Sequence, residues 1–123
     1  MFRAEIVETG KQLTSVKEKV IMKDTRSAIR LDEATQSGSV DIYPVNYAVL
    51  KVTNDRSEDG EYTQYIIIDK SGEKYLTGSE SFFSAFMSIY EDMSESGEEF
   101  GIRAYRVPSK NYKGKDFISC SII

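Results

Sequence analysis

The sequence predicts a mainly β domain, a five-stranded antiparallel barrel with one helix between the third and fourth strands. Apolar and polar residues alternate along several short stretches, which is the period of half-buried strands. The period becomes helical over residues 79–93. A chain of 123 residues can bury one core but not two. We therefore expect a single domain over residues 1–123, with residues 1–13 as a peripheral N-terminal segment.

Three strands of a meander are predicted directly before the helix. The stretch "NYAVLKVTN" (46–54) alternates along its length. Residues 62–69 form a second β-rich run, and the turn-forming residues between the two runs predict a hairpin with a long acidic tip. Residues 73–77 follow a tight turn, so the three strands form a meander.

Residues 79–93 predict an amphipathic helix that closes one end of the sheet. Ser79 is a suitable N-cap, Glu80 lies in the first turn, and Gly97 follows the end. Apolar residues recur at helical spacing, so the aromatic ones are expected in the core rather than at a ligand site. This stripe consists of Phe82, Phe86, Ile89 or Tyr90, and Met93.

Two further strands, at residues 100–107 and 115–122, are predicted on either side of a basic loop. Residues 14–23 permit two interpretations. Their alternation favours a strand, whereas Ser15 and Glu18 have the spacing of a helix capping box. Residues 24–38 are expected to be irregular.

In order, these elements match the layout of the OB-fold, a small antiparallel barrel whose exposed sheet face and loops bind oligonucleotides. The shared feature is the helix between the third and fourth barrel strands. If residues 14–23 form a strand, six strands are predicted, one more than the OB-fold has. Either that first strand or the short third strand of the meander, at residues 73–77, is then peripheral to the barrel. An α+β sandwich with the same elements is the alternative architecture.

Charge is distributed unevenly along the chain. The formal net charge is −4, but residues 1–30 hold seven basic and four acidic side chains, and residues 101–123 hold five and one. Residues 31–100 are strongly acidic. Because phosphate binding depends on local charge, two basic ends that meet in the fold would form a groove for nucleic acid. An ordinary solvated surface is the competing interpretation of each block.

The composition argues against several classes of protein. There is no histidine, so a Ser–His or Cys–His catalytic pair cannot exist, and one cysteine leaves only carboxylates to complete a zinc site. We therefore expect no enzyme and no cofactor, with a nuclease built on carboxylates alone as the catalytic alternative. Neither an apolar run of membrane-spanning length nor a signal-peptide pattern is present. Together with the lone Cys120, this predicts a cytoplasmic protein without membrane association.

Two motifs and the element order resemble one known family. The motifs are the D-x-S-G-x-x-Y turn and strand that ends at Tyr75, and the closing S-K-x-x-K-G-K-x-F strand that ends at Phe117. Over residues 14–123 the chain resembles the small single-stranded DNA-binding proteins of tailed phages that infect Gram-positive bacteria. The resemblance implies an OB-fold, a base-stacking role for Tyr75, and sequence-tolerant binding of single-stranded DNA (ssDNA) during phage replication or recombination.

The same resemblance bears on location and partners. It implies action in the host bacterial cytoplasm, no catalysis, and phage or host replication proteins as further partners. Residues 121–123 look like strand rather than the acidic, flexible tail of the bacterial relatives. Recruitment of host replication proteins through such a tail is therefore not expected.

The residues themselves offer contacts for ssDNA, which needs cations along its phosphates and flat rings for its bases. On the last strand, Ile118, Cys120 and Ile122 form one face. Lys115 and Phe117 are left on the other, where a phenylalanine beside a lysine is a good stacking platform. Two other predicted strands also carry a basic and an aromatic side chain on one face. The predicted contacts are Lys17, Lys19, Tyr47, Lys51, Tyr75, Arg103, Tyr105, Lys110, Tyr112, Lys113, Lys115 and Phe117.

A different class of function stays open. The acidic segments 54–61 and 91–99 could mimic nucleic acid, so the chain could be a small phage protein that binds and inhibits a host protein. These two functions are separated by whether five residues share a concave surface: Arg103, Lys110, Lys113, Lys115 and Phe117. The structural alternatives are that another segment covers Phe117 and that Tyr75 lies in the core.

Overall fold

The structure is a computed structural model that describes residues 2–54, 60–111 and 114–123. Strand accounts for 43% of the chain and helix for 26%, so the mainly β prediction is confirmed. The helices are α1 (Val16–Lys23), α2 (Leu31–Ala34) and α3 (Glu80–Ser96). The strands are β1 (Phe2–Thr9), β2 (Ile29–Arg30), β3 (Val40–Ile42), β4 (Pro44–Asn54), β5 (Glu61–Asp69), β6 (Lys74–Thr77), β7 (Ile102–Pro108) and β8 (Asp116–Ile122).

The described strands form two open sheets and not a closed barrel. One sheet has the order β1-β4-β5-β6-β2, and the other has the order β3-β7-β8. In the first sheet β2 pairs with β6, and in the second β8 pairs with β7. The short strand β2 was not predicted from the sequence.

The chain divides into two compact units, each drawn from two separate stretches. Unit 1 comprises Met1–Ile29 and Val45–Gly78, and unit 2 comprises Arg30–Pro44 and Ser79–Ile123. Unit 1 holds α1 and most of the five-stranded sheet, whereas unit 2 holds α2, α3 and the three-stranded sheet. The expectation of a single domain over residues 1–123 stays a prediction.

The core of unit 1 confirms the alternation predicted for the first strand of the meander. Ala48, Leu50 and Val52 of β4 are fully buried. They form one cluster with Met22 of α1 and with apolar residues of β5 and β6. The predicted strands at 46–54, 62–69 and 73–77 correspond to β4, β5 and β6. The proposed acidic tip of the hairpin falls on residues 55–59, which lie outside the described residues.

Residues 16–23 form a helix, so the favoured strand interpretation is wrong and the capping-box alternative is confirmed. The Ser15 hydroxyl accepts a hydrogen bond from the Glu18 backbone N–H at 3.1 Å. The Glu18 carboxylate accepts one from the Thr14 backbone N–H at 2.6 Å. The alternation of apolar residues predicted a half-buried strand face, but Val16 and Val20 are exposed and only Met22 of this helix is buried. These caps satisfy donors at the helix start that would otherwise lack partners.

The far end of α1 is held by a buried lysine that the sequence analysis did not single out. Lys74 of β6 donates from its ammonium group to the carbonyl oxygens of Ile21 at 2.7 Å and Asp24 at 2.6 Å. Its side chain is almost fully buried. A cation bonded to the last carbonyls of a helix satisfies their hydrogen-bonding needs and opposes the negative end of the helix dipole.

In unit 2, the helix predicted at 79–93 is confirmed as α3. The Ser79 hydroxyl accepts from the Phe82 N–H at 3.2 Å, and Gly97 ends the helix with φ of 75°. Phe82, Phe86 and Tyr90 are the buried residues of this helix. Successive rings of this stripe stack, with centroids 6.2 and 5.5 Å apart. The expectation that the aromatic stripe is core is confirmed.

The segment expected to be peripheral, residues 1–13, contains strand β1 at the edge of the five-stranded sheet. β1 pairs antiparallel with β4, and its register shifts at a bulge between Ile6 and Glu8. Ala4 and Ile6 are half-buried against the unit 1 core. The supposedly irregular region 24–38 also contains β2 and α2. These elements are too short, or too mixed in polarity, for periodicity to reveal them.

Candidate nucleic-acid interface

The pairing of β7 with β8 decides which side chains share a face of the three-stranded sheet. Arg103 lies opposite Ser121, and Tyr105 lies opposite Ser119. Val107 lies opposite Phe117. Because alternate residues of a strand point to the same side, these side chains lie on one face. We call this the open face, defined by Arg103, Tyr105, Val107, Phe117, Ser119 and Ser121.

The opposite face of the same strands is the buried one. Ile102 and Ala104 of β7 are fully buried, and Ile118 and Cys120 of β8 are nearly so. The predicted register of β8 is therefore confirmed for these residues. Ile122, which was expected to be buried, is 50% exposed because it lies at the end of an edge strand.

Cys120 has no features of a reactive thiol. Burial raises the pKa of its thiol to about 12. The thiolate, which is the nucleophilic form, is therefore scarce at neutral pH. Buried beside Ile118 on the same face, Cys120 serves packing.

Phe117 is the most accessible ring on the open face, with 40% of its surface exposed. Tyr105 on the neighbouring strand is half-buried, and its hydroxyl shares a hydrogen bond with the hydroxyl of Ser121. That bond fixes the tyrosine ring across the strands. The open face therefore presents one exposed ring and one oriented ring, of the kind that can stack on bases.

Arg103 on the open face is held by an acid that the sequence analysis did not predict. Its guanidinium donates to both carboxylate oxygens of Asp41, at 2.8 and 3.1 Å. Hydrogen bonding and the opposite charge lower the pKa of Asp41 and raise the pKa of Arg103. Part of the positive charge expected on this face is therefore compensated by β3. Alternation of Val40 and Ile42 around Asp41 was the signal that could have revealed this strand.

Arg106, which belongs to the basic C-terminal segment, serves unit 2 rather than the open face. Its guanidinium donates to the carboxylate of Asp116 at 2.6 Å and to the hydroxyl of Thr35 at 3.2 Å. It also bonds the backbone carbonyl of Asp32. These contacts join β7 to β8 and to α2.

The loop between β7 and β8 borders a groove. The backbone N–H of Ser109 donates to the carbonyl of Lys115 at 2.9 Å, and Gly114 takes a φ of 82°. The groove measures about 450 Å³ and is lined by Ser109 and Lys115 of the loop, and also by Arg106, Pro108 and Asp116, whose register places them on the side of the sheet away from the open face. Lys110 is exposed and makes no ion pair within the described residues. The predicted contacts Tyr112 and Lys113 lie outside the described residues.

Two predicted stacking tyrosines in unit 1 are buried. Tyr47 is 5% exposed, and its hydroxyl donates to the carboxylate of Glu8 at 2.9 Å. Tyr75 is 8% exposed, and its hydroxyl donates to Glu73 at 3.2 Å. Burial, assisted by the Glu73 carboxylate, raises the pKa of Tyr75 to about 12. The burial of these two rings argues against their predicted roles as stacking platforms.

The predicted lysines of unit 1 are exposed but belong to different elements. Lys51 lies on β4 and forms an ion pair with Glu61 of β5 at 3.4 Å. Lys17 and Lys19 lie on α1, not on the strand that was expected. The structure therefore brings together Arg103, Tyr105, Lys115 and Phe117 in unit 2, with Lys110 in the adjoining loop.

Two other kinds of site are absent from the described part of the chain. No group of three or more His, Cys, Asp or Glu side chains there is placed to hold a metal ion. No helix of residues 2–54, 60–111 and 114–123 has the length and apolar character needed to cross a membrane.

Comparison with protein-family models, with curated proteins and with solved structures found no match to this chain.

Proposed function

We propose that this protein binds ssDNA without strong sequence preference, through the open face of its three-stranded sheet and the basic loop beside it. The observation that carries the proposal is the 40% exposure of Phe117 on a sheet face that also bears Tyr105 and Arg103. An exposed phenylalanine on a sheet contributes little to a core and offers a flat surface to a base. Stacking accepts every base, so sequence preference should be slight.

Cations near Phe117 supply the second requirement, which is attraction for the phosphate backbone. Lys115 precedes Phe117 by two residues and lines the groove of the β7–β8 loop. Lys110 lies in the same loop and is exposed. A strand of DNA whose base stacks on Phe117 could carry its neighbouring phosphates past these two lysines. The hydroxyls of Ser119 and Ser121 would add polar contacts that do not depend on sequence.

The order of the strands supports a distant relation to the OB-fold. Tyr43 alone separates β3 from β4, so one nearly continuous segment takes part in both sheets. The elements β5, β6, α3, β7 and β8 then follow in the order expected of that fold. We propose an OB-like order of elements in which β1 and β2 are additional edge strands of the five-stranded sheet.

The biological role proposed is protection of ssDNA during phage DNA replication or recombination, by binding and without catalysis. Replication proteins of the phage or host are the further partners in this proposal, and the bacterial cytoplasm is the location. The role rests on the resemblance of the closing strand and of the turn before Tyr75 to phage ssDNA-binding proteins, together with the chemistry of the open face.

The experiment is a fluorescence-anisotropy titration of labelled oligo(dT) against wild type, Phe117→Ala and Tyr62→Ala. Tyr62 of β5 is the matched control, because its exposed fraction of 39% nearly equals that of Phe117. Loss of one stacked base should weaken binding by about 1–3 kcal/mol for Phe117→Ala. Tyr62→Ala should bind as the wild type does.

The same titration decides against the proposal in two ways. If the wild type does not bind oligo(dT) in low salt, or if both variants lose affinity equally, the open face is not an ssDNA site. The inhibitor of a host protein would then be favoured. Its acidic surface would include the exposed Glu91, Glu95, Glu98 and Glu99 at the end of α3, while residues 55–59 of the other acidic segment lie outside the described residues.

A further inference from the structure

The edges of the two sheets differ in how they are covered. β2 and β3 are edge strands of two and three residues, so β1 and β8 are the long edges among the described strands. At β8, the Ser81 hydroxyl of α3 donates to the carbonyl of Ile118 at 2.9 Å. No bond of that kind covers β1 within the described residues. An uncovered edge presents backbone donors and acceptors that can pair with another extended chain.

A groove runs beside the β1 edge within unit 1. One wall is β1, through Glu5, Ile6 and Thr9, and the other is α1, through Lys19 and Lys23. The groove measures about 360 Å³, and Leu13 also lines it. Ile6 and Leu13 are partly buried against the core below. A groove between an edge strand and a helix has the shape in which a peptide can add as a further strand.

The helical wall of this groove is basic. Lys19 and Lys23 are exposed, and neither side chain makes an ion pair or hydrogen bond within the described part of the chain. Glu5 of the strand wall pairs with Lys51 of β4. Because side chains alternate along a strand, its carboxylate points to one face of the sheet, whereas Ala4 and Ile6 point to the other. The charge nearest the helical side of the groove is therefore positive.

The spacing of the two lysines suits a strand with alternating acids. Four residues of α-helix separate Lys19 and Lys23 by about 6 Å along the helix axis. Alternate residues of a strand are separated by about 6.6 Å and point to the same side. Carboxylates at positions i and i+2 of an added strand that runs along α1 would therefore meet Lys19 and Lys23 in turn. Nucleic acid lacks the alternating backbone N–H and C=O groups that an edge strand pairs with.

We propose that the groove between β1 and α1 binds an extended acidic segment of a partner protein, by strand addition to β1. The bulge between Ile6 and Glu8 limits regular pairing to residues 2–6. Carboxylates on alternate residues of the bound segment pair with Lys19 and Lys23. This interaction goes beyond the proposed ssDNA function and uses a different unit of the chain.

The test uses a fluorescein-labelled octapeptide of alternating Asp and Val residues, titrated against the full chain. A peptide with the same composition in two blocks, four Asp followed by four Val, is the matched probe for spacing. We expect the alternating peptide to bind at least tenfold more tightly at low salt. Lys19→Glu should weaken its binding about tenfold, as reversal of a charge in a contact does. Lys17→Glu is the matched control on the same helix, does not line the groove, and should change affinity less than threefold.

Hydrogen exchange identifies the edge that is used. The alternating peptide should slow amide exchange in residues 2–6, as strand addition requires. Failure to bind, equal effects of Lys17→Glu and Lys19→Glu, or binding without slower exchange in β1 would overturn the proposal. So would slowing of β1 exchange by oligo(dT) in place of the peptide, or by raising the protein concentration alone, which would assign the edge to DNA or to a second copy of the chain.

Discussion

Both carboxylate oxygens of Asp41 accept hydrogen bonds from the guanidinium of Arg103, at 2.8 and 3.1 Å. The two residues lie directly opposite each other on β3 and β7. Both side chains are about half exposed, so solvent screens their attraction and the pair adds little to stability. Its larger consequence is for binding, because a cation of the open face is committed to an acid in the protein.

Removing that acid should strengthen ssDNA binding. In Asp41→Asn the arginine keeps its place in the sheet but loses its counter-charge, so it can neutralise a phosphate. We expect tighter binding of oligo(dT) and a steeper dependence of log affinity on log salt, by about 0.7. Glu61→Gln, which releases Lys51 from its ion pair on the other sheet, is the control with the same change in net charge. Equal gains in the two variants would mean that only net charge matters.

Lys115 should contribute one phosphate contact. Lys115→Ala should reduce the steepness of the salt dependence by something under one unit, while stacking on Phe117 persists. The measurement is a series of oligo(dT) titrations between low and physiological salt. Lys70→Ala, an exposed lysine in the turn between β5 and β6, should leave the slope unchanged. A wild-type affinity that does not fall with salt would contradict the basic contribution altogether.

Phe86 should matter for stability and not directly for binding. It is fully buried between Phe82 and Tyr90 on α3. Phe86→Ala leaves a cavity and should lower the free energy of unfolding by about 3–5 kcal/mol, measured by urea denaturation. Phe117→Ala, which removes an exposed ring, should change it little. A Phe86→Ala variant that unfolds like the wild type yet no longer binds DNA would show that the aromatic stripe is a site.

Lys74 should stabilise the end of α1. Lys74→Met keeps the apolar stem but removes the ammonium group, and the carbonyls of Ile21 and Asp24 lose their partner. We expect a loss of about 1–3 kcal/mol in the free energy of unfolding, the usual cost of an unsatisfied buried polar group. Lys70→Met, an exposed position four residues earlier, should cost much less. Equal costs would show that water replaces the ammonium group.

Tyr75 should make the fold sensitive to alkaline pH. Its folded pKa is raised from 10.0 to about 12, so the fold favours the neutral hydroxyl. That contribution is fully present below pH 10 and is lost as pH rises from 10 towards 12, because the unfolded chain ionises more easily. Thermal unfolding across this range should show a larger loss of stability for the wild type than for Tyr75→Phe. Parallel curves would mean that the Tyr75 hydroxyl ionises alike in both states.

Elements whose signals are local were predictable from the sequence. The N-cap Ser79, the helical spacing of Phe82 and Phe86, and Gly97 identify α3, since each acts within one or two turns of helix. The alternation of apolar and polar residues predicted strands close to the observed β4 to β8. It also predicted correctly that the side chains of Ile118 and Cys120 are buried and that the side chain of Phe117 is exposed. Where two local signals competed, at residues 14–23, the side-chain caps prevailed over alternation because Val16 and Val20 had no core to enter.

Contacts between residues far apart in the chain were decided by the tertiary structure alone. Asp41 and Arg103 are 62 positions apart, and Lys74 reaches Ile21 across 53. No period or cap in the sequence marks such pairs, because each forms only after several strands have found their neighbours. The same holds for the pairing of β2 with β6. Alternation thus determined which side chains face outward, whereas strand pairing determined which of them meet and which charges are already paired.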